Sequence, residues 1–89
     1  MTQETRETRL RRLYMRSIRR GIKEMDLILG SFAKDALHDL DDVSLDAYEA
    51  MLNENDQDLY TWVSGQIDPP TVHAPMINLI AERFRAKKN

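Results

Sequence analysis

The fold of this 89-residue chain is decided by residues 22–40, IKEMDLILGSFAKDALHDL. Apolar residues recur here at helical spacing, which places them on one stripe of a helix instead of on alternate faces of a strand. The stripe consists of Met25, Ile28, Leu29, Phe32, Ala36, Leu37 and Leu40. We predict a long helix over about residues 22–39, and its nearly heptad seam makes it the central helix of a bundle.

Four more helices are predicted around it, and no stretch alternates for long enough to form a strand. They cover about residues 5–19, 45–54, 56–64 and 74–86. The expected fold is all-α, a small bundle of about five helices. We expect one domain over residues 1–89, since so short a chain has no room for a second core, and a frayed tail at about 85–89.

Local signals mark where these helices begin and end. Gly21 separates the first helix from the second. Ser44 is the predicted cap of the third helix and Asn55 that of the fourth, because their side chains can accept a hydrogen bond from a free backbone N–H. Gly65 should end the fourth helix, and Pro75 suits the first turn of the fifth.

The composition limits the classes of function. The chain has no cysteine, which rules out disulfides, thiol nucleophiles and cysteine-ligated metals. No apolar run approaches the roughly 18 residues of a membrane span, so no direct membrane insertion is expected. The Arg- and Thr-rich start is similar to an organelle transit peptide, but Glu4 and Glu7 count against that interpretation. We therefore expect a bacterial, cytoplasmic protein without a presequence.

Charge is strongly segregated along the chain. Residues 1–24 carry eight Lys or Arg against three acidic residues, residues 25–68 carry one against eleven, and residues 69–89 carry four against one. Such asymmetry indicates either a polar surface for a partner or pairing between a basic and an acidic helix of the same chain. The sequence leaves both alternatives open.

Groups that could perform catalysis or hold a metal are few. His38 and His73 are too far apart in the sequence to form a zinc-binding pair on one helix. The acidic run around Asp41 lacks the glycine and the final glutamate of a calcium loop, and Gly21 and Gly30 belong to no phosphate-binding pattern. We predict no catalytic residue, no metal and no bound cofactor, and hence no enzyme.

A nucleic-acid-binding function is a weaker alternative. The first helix presents Arg9, Arg12 and Arg16, which could contact phosphates. The acidic middle of the chain argues against that function, and no aromatic residues lie between these arginines on the outer face to stack on bases. We expect no nucleic-acid partner, and a generic helical adaptor for some other protein also remains an alternative.

The segment Arg19-Arg20-Gly21-Ile22-Lys23-Glu24 carries the most specific pattern. Arg20 and Glu24 are four positions apart, so on a helix they could form a surface ion pair worth about 0.3 to 0.5 kcal/mol. Alternatively, the segment is an interface. Gly21 has no side chain and would let a partner approach the backbone closely between a guanidinium and a carboxylate.

This segment resembles the Arg-Gly-x-x-Glu signature of the succinate dehydrogenase assembly factor 2 family, which includes bacterial and mitochondrial members. The flanking residues Met25 to Leu29 and the segment Asp58-Leu59-Tyr60-Thr61-Trp62 are also similar to the family pattern. The resemblance extends from about Leu10 to Arg85. Ile22 stands where many members have methionine.

The resemblance implies a five-helix bundle that binds the flavoprotein subunit of succinate dehydrogenase, and in some bacteria that of fumarate reductase. It implies that the chain promotes covalent attachment of FAD to a histidine of that subunit. Because the chain has no phosphate-binding motif, we expect that it does not bind FAD stably by itself, and whether it touches FAD stays open. Arg20, Gly21 and Glu24 match the functional motif, and Arg19 and Asp26 flank it as further partner-binding residues. Trp62 is expected to pack in the core, with its indole N–H at the rim.

Overall fold

The computed structural model describes the backbone of residues 4–88 and the side chains of residues 4–86, and this part of the chain is all-α, as predicted. Its helices are α1 (Arg6–Ile18), α2 (Lys23–Ala36), a 3₁₀ turn (Leu37–Asp39), α3 (Asp42–Leu52), α4 (Asp56–Val63) and α5 (Ala74–Lys88). The fifth helix continues past its predicted end near residue 86. The extent of the domain and the fraying of the tail stay predictions, and Asn89 lies outside the described residues.

Helix α2 is central, as its apolar stripe predicts, and it packs against α1, α4 and α5. Its buried residues are Met25, Ile28, Leu29, Phe32, Ala33 and Ala36. Burying one large apolar side chain contributes about 1.5 to 3 kcal/mol, so packing stabilises this helix more than any cap does. Gly30 allows the close crossing of α1, because a Cβ atom there would lie 3.0 Å from Cγ2 of Ile18.

Two local predictions about helix ends are confirmed, and a third is wrong. The Asn55 side chain caps α4 by accepting a hydrogen bond from the Gln57 N–H at 2.8 Å, and Gly65 follows the helix with φ of 85°. Ser44 does not cap α3. The cap is Asp41, whose carboxylate accepts from the Ser44 N–H at 2.8 Å, so the helix begins at Asp42 and earlier than predicted. Both residue types can cap a helix, but here the helix already begins after Asp41, so Ser44 lies in its first turn and gives its own N–H to the Asp41 carboxylate.

A buried hydroxyl pair joins α1 to α3. Leu13 and Ser17 are the fully buried residues of α1, whereas Leu10, Tyr14 and Ile18 on the same helix are half-buried. The Ser17 hydroxyl donates to the Leu13 carbonyl at 2.7 Å, which leaves the Tyr48 hydroxyl to donate to Ser17 Oγ at 2.6 Å. The Tyr48 ring stacks on Phe32 with 5.6 Å between the centroids, so it lies at the centre of the core.

The stability of the fold should therefore decline in strong alkali. Burial raises the pKa of Tyr48 to about 12, against an ordinary value near 10. Because the folded-state pKa is the higher one, this stability is fully present below pH 10 and is lost as the pH rises through 12. We expect the unfolding free energy to fall by about 1.4 kcal/mol per pH unit over that window. Urea titrations at several pH values should show this slope for the wild type and for Tyr14→Phe, and a flatter one for Tyr48→Phe.

Candidate partner-binding site

Arg20 lies in the link between α1 and α2, and its side chain points into the fold. Its Nε donates to Asp56 Oδ1 at 2.6 Å, and its two terminal nitrogens donate to the backbone carbonyls of Leu52 at 2.9 Å and Glu54 at 3.0 Å. Only 11% of the Arg20 side chain and 13% of the Asp56 side chain are exposed. The guanidinium therefore ties the α1–α2 link to the α3–α4 link.

Gly21 belongs to the same attachment. Its backbone N–H donates to Oδ2 of Asp56, the carboxylate oxygen that Arg20 does not use. A Cβ atom on Gly21 would lie 3.2 Å from that oxygen, which is tighter than most packed contacts. Glycine thus favours the close approach of a carboxylate here and is not needed for an unusual backbone angle, since Gly65 alone among the described residues has positive φ.

Asp26 also acts within the chain. Its carboxylate accepts the Arg20 backbone N–H at 2.5 Å from the first turn of α2. A carboxylate at this position is favoured by the positive end of the helix dipole. This matters because Ile22, which precedes the helix, provides no side-chain cap.

The other two predicted site residues face solvent. Glu24 and Arg19 are exposed, and neither forms a hydrogen bond or ion pair within the part of the chain that the structure describes. The ion pair considered between Arg20 and Glu24 does not form, because Arg20 is engaged by Asp56. Of the five residues predicted to bind a partner, three hold the α1–α2 link in place: Arg20, Gly21 and Asp26. The other two, Arg19 and Glu24, are exposed to solvent. Contact with a partner stays a prediction for all five.

Residues around Glu54 extend this network into the core. The Glu54 carboxylate lies 2.9 Å from Nε2 of buried His73, while the Glu54 carbonyl accepts from Arg20. The half-buried Trp62 ring lies against His73 with 6.0 Å between the centroids and packs on the core, as predicted for it. Neither Glu54 nor Asp56 could be identified as a site residue from the sequence.

The charge segregation is explained largely by pairing between α1 and α3. Arg9 binds Asp46 and Glu49 at 2.6 and 3.1 Å, and Arg12 binds Glu49 at 2.8 Å. The hydrogen bond from Arg12 holds the pKa of Glu49 below its usual range. Arg16 donates to the Asn53 side chain at 2.9 Å. The arginines that a nucleic-acid-binding surface would need are therefore paired with other side chains of the same molecule.

Neither a metal site nor a membrane-spanning helix is present in the part of the chain that the structure describes. Within residues 4–86, no group of three His, Asp or Glu side chains is arranged to hold a metal ion. No helix in that range is both long and apolar enough to cross a membrane.

Comparison with known proteins gives a family match over most of the chain. Residues 11–84 match the model of a family described as flavinator of succinate dehydrogenase. The chain is similar to proteins named succinate dehydrogenase assembly factor 2, mitochondrial, from three fungi. It is 48% identical to the one from Meyerozyma guilliermondii over 75% of this chain and 50% of the relative. It is 42% identical to that of Schizosaccharomyces pombe over 75% and 48% of the two chains, and 37% identical to that of Mycosarcoma maydis over 84% and 32%.

These relatives correct one prediction and limit what can be transferred from them. The predicted cytoplasmic location is wrong on this comparison, because these relatives are named as mitochondrial proteins. The bacterial origin stays a prediction. The chain spans about half the length, or less, of the curated relatives that it matches.

Proposed function

Because this chain belongs to the family of succinate dehydrogenase flavinators, we propose that it binds the flavoprotein subunit of succinate dehydrogenase and promotes covalent attachment of FAD to that subunit. The observation that carries the proposal is the family match over residues 11–84, which includes the whole Arg-Gly-x-x-Glu segment. We extend the proposal to the flavoprotein subunit of fumarate reductase as a second client of the same surface.

The way this segment is built supports a binding role for Glu24. Arg20 and Asp56 fix the link just before α2, and Glu24 follows within the first turn of that rigid helix. Its carboxylate reaches solvent without a partner among the described residues. Because the backbone of Glu24 is fixed before binding, only its side chain loses conformational freedom when a basic group of the client meets it. Arg19, exposed just before the link, can meet an acidic group of the client in the same way.

The chain would act by positioning and not as an enzyme. It would hold the flavin domain of its client in a conformation in which the client's own histidine meets the FAD ring, so the client performs the chemistry. Such a helper needs no reactive group and no cofactor of its own. We therefore propose that the isolated chain does not bind FAD stably.

The test is the replacement of Glu24 by glutamine, which keeps the size of the side chain and removes its charge. The purified flavoprotein subunit, free of FAD, is mixed with FAD and the chain, and covalent flavin is followed by fluorescence in a denaturing gel. A hydrogen bond to a charged group is worth about 1.5 to 3 kcal/mol, so Glu24→Gln should weaken binding of the subunit at least about tenfold and slow flavin attachment at limiting concentrations.

The matched control is Glu82→Gln, which removes an exposed carboxylate from α5 and should bind and act like the wild type. Both variants should unfold at the wild-type temperature. If the wild-type chain leaves the rate of flavin attachment unchanged, the proposed function fails. A titration of the isolated chain with FAD should show no binding. Micromolar affinity would contradict the proposal that the isolated chain does not bind FAD stably.

A further inference from the structure

A small apolar groove runs between α2 and α5, next to the exposed carboxylate of Glu24. Its apolar lining consists of Leu27, Ile28, Phe32, Ile80 and Phe84, and its volume is about 190 Å³. Leu27 stands at the edge with 65% of its surface exposed, although it belongs to the most deeply packed helix. An exposed leucine alone needs no explanation, but one that borders an apolar groove forms a continuous apolar surface.

This groove continues the surface on which Glu24 lies. Glu24 and Leu27 are three positions apart on α2, so they are neighbours on one face, and Ser31 follows one turn later in the wall of the groove. A partner that meets the Glu24 carboxylate therefore lies within reach of the groove. Asp35 and Arg83 add one charge of each sign to the lining, so the groove itself does not favour a charged occupant.

The size of the groove decides what kind of group can fill it. Sites for cofactors and drug-sized molecules have volumes of about 300 to 1,000 Å³, so this groove is too small for FAD. An apolar cavity of about 150 Å³ accepts a molecule of the size of benzene. The groove therefore suits one leucine or phenylalanine side chain.

We propose that the groove receives one apolar side chain of the flavoprotein subunit, next to a basic residue of that subunit that pairs with Glu24. This inference rests on the proposed function and defines the chemistry of the client surface. That surface would present one cation and one large apolar side chain, at a distance that matches about one turn of α2. The apolar contact anchors the complex, and the ion pair sets its orientation.

The experiment compares two charged substitutions at exposed apolar residues. Leu27→Lys places a charge at the groove. Val43→Lys places a charge at a similarly exposed residue, 77% accessible, of α3, where α3 packs on the other side of α5. Binding of each variant to the purified flavoprotein subunit is measured by calorimetry. Leu27→Lys should weaken binding about 30-fold, which corresponds to the 2 kcal/mol of an interface hot spot, and Val43→Lys should change it less than about twofold.

The outcomes separate this inference from the proposed function. If the wild-type chain does not bind the subunit, both fail. If the wild type binds and the two lysine variants bind equally well, the function stands and the groove is not its anchor. Sedimentation of the free chain tests the other occupant: a dimer that Leu27→Lys dissociates would show that a second copy fills the groove, which also overturns the inference. Thermal unfolding of both variants should match the wild type.

Discussion

Replacing Arg20 with alanine should lower the free energy of unfolding by about 3 to 5 kcal/mol, the usual cost of removing one partner from a buried ion pair. The Asp56 carboxylate, 13% exposed, would lose its guanidinium, and the carbonyls of Leu52 and Glu54 would each lose a donor. Small domains have total stabilities of only about 5 to 15 kcal/mol. This single change should therefore bring a fraction of the molecules to unfolding at physiological temperature.

The neighbouring arginine provides the control. Arg19 is exposed and has no partner among residues 4–86, so Arg19→Ala should change the unfolding free energy by less than about 0.5 kcal/mol. For a domain of this size, 1 kcal/mol corresponds to about 4 to 8 °C, so the melting temperature of Arg20→Ala should fall by about 12 °C or more.

A third variant separates charge from geometry. Arg20→Lys keeps the positive charge but cannot supply three donors in a planar fork, so it should recover only part of the loss. Equal melting temperatures for Arg20→Ala and Arg19→Ala would contradict a structural role for Arg20. A loss of flavin attachment in Arg20→Ala should accordingly be measured at equal concentrations of folded protein.

The parts of the fold that follow from neighbouring residues could be predicted from the sequence. The apolar stripe of α2 predicted its central place, and Asn55 predicted the start of α4, because a cap acts on an N–H two residues away. The predicted start of α3 was wrong because Asp41 and Ser44 are both good caps. The sequence does not show after which of the two the helix begins.

The site could be predicted only in part, because its decisive contacts join distant residues. Arg20 and Asp56 are 36 positions apart, and no period or motif connects them. The same is true of Ser17 and Tyr48, 31 positions apart, whose pairing explains why a hydroxyl is buried on the inner face of α1. Family resemblance singled out the motif, but it does not distinguish a residue that contacts a partner from one that holds the backbone in place.

Replacing Gly21 with arginine should lower the unfolding free energy by about 1 to 3 kcal/mol, the usual range for overpacking. The added Cβ would lie 3.2 Å from Oδ2 of Asp56. That oxygen cannot easily move away, because Arg20 holds the same carboxylate at 2.6 Å. Gly21→Ala, which adds the Cβ alone, should show the smaller part of this loss, about 1 kcal/mol.

The control for Gly21→Arg is Ala50→Arg, which adds the same charged side chain at an exposed position of α3. It should change the unfolding free energy by less than about 0.5 kcal/mol, as surface substitutions usually do. Urea unfolding of the three variants and the wild type measures these differences. A wild-type unfolding curve for Gly21→Arg would mean that the Asp56 carboxylate can move away from the added Cβ without lowering the free energy of unfolding.

The same measurement decides how Gly21 contributes to function. If Gly21→Arg is destabilised and its flavin attachment is restored at low temperature, where the variant is folded, then glycine is required for the contact with Asp56. If Gly21→Arg unfolds like the wild type but fails to promote flavin attachment, the arginine side chain must block the client directly. In that case Gly21 belongs to the interface together with Glu24, and the close approach of a partner to its backbone, expected from the sequence, explains the glycine.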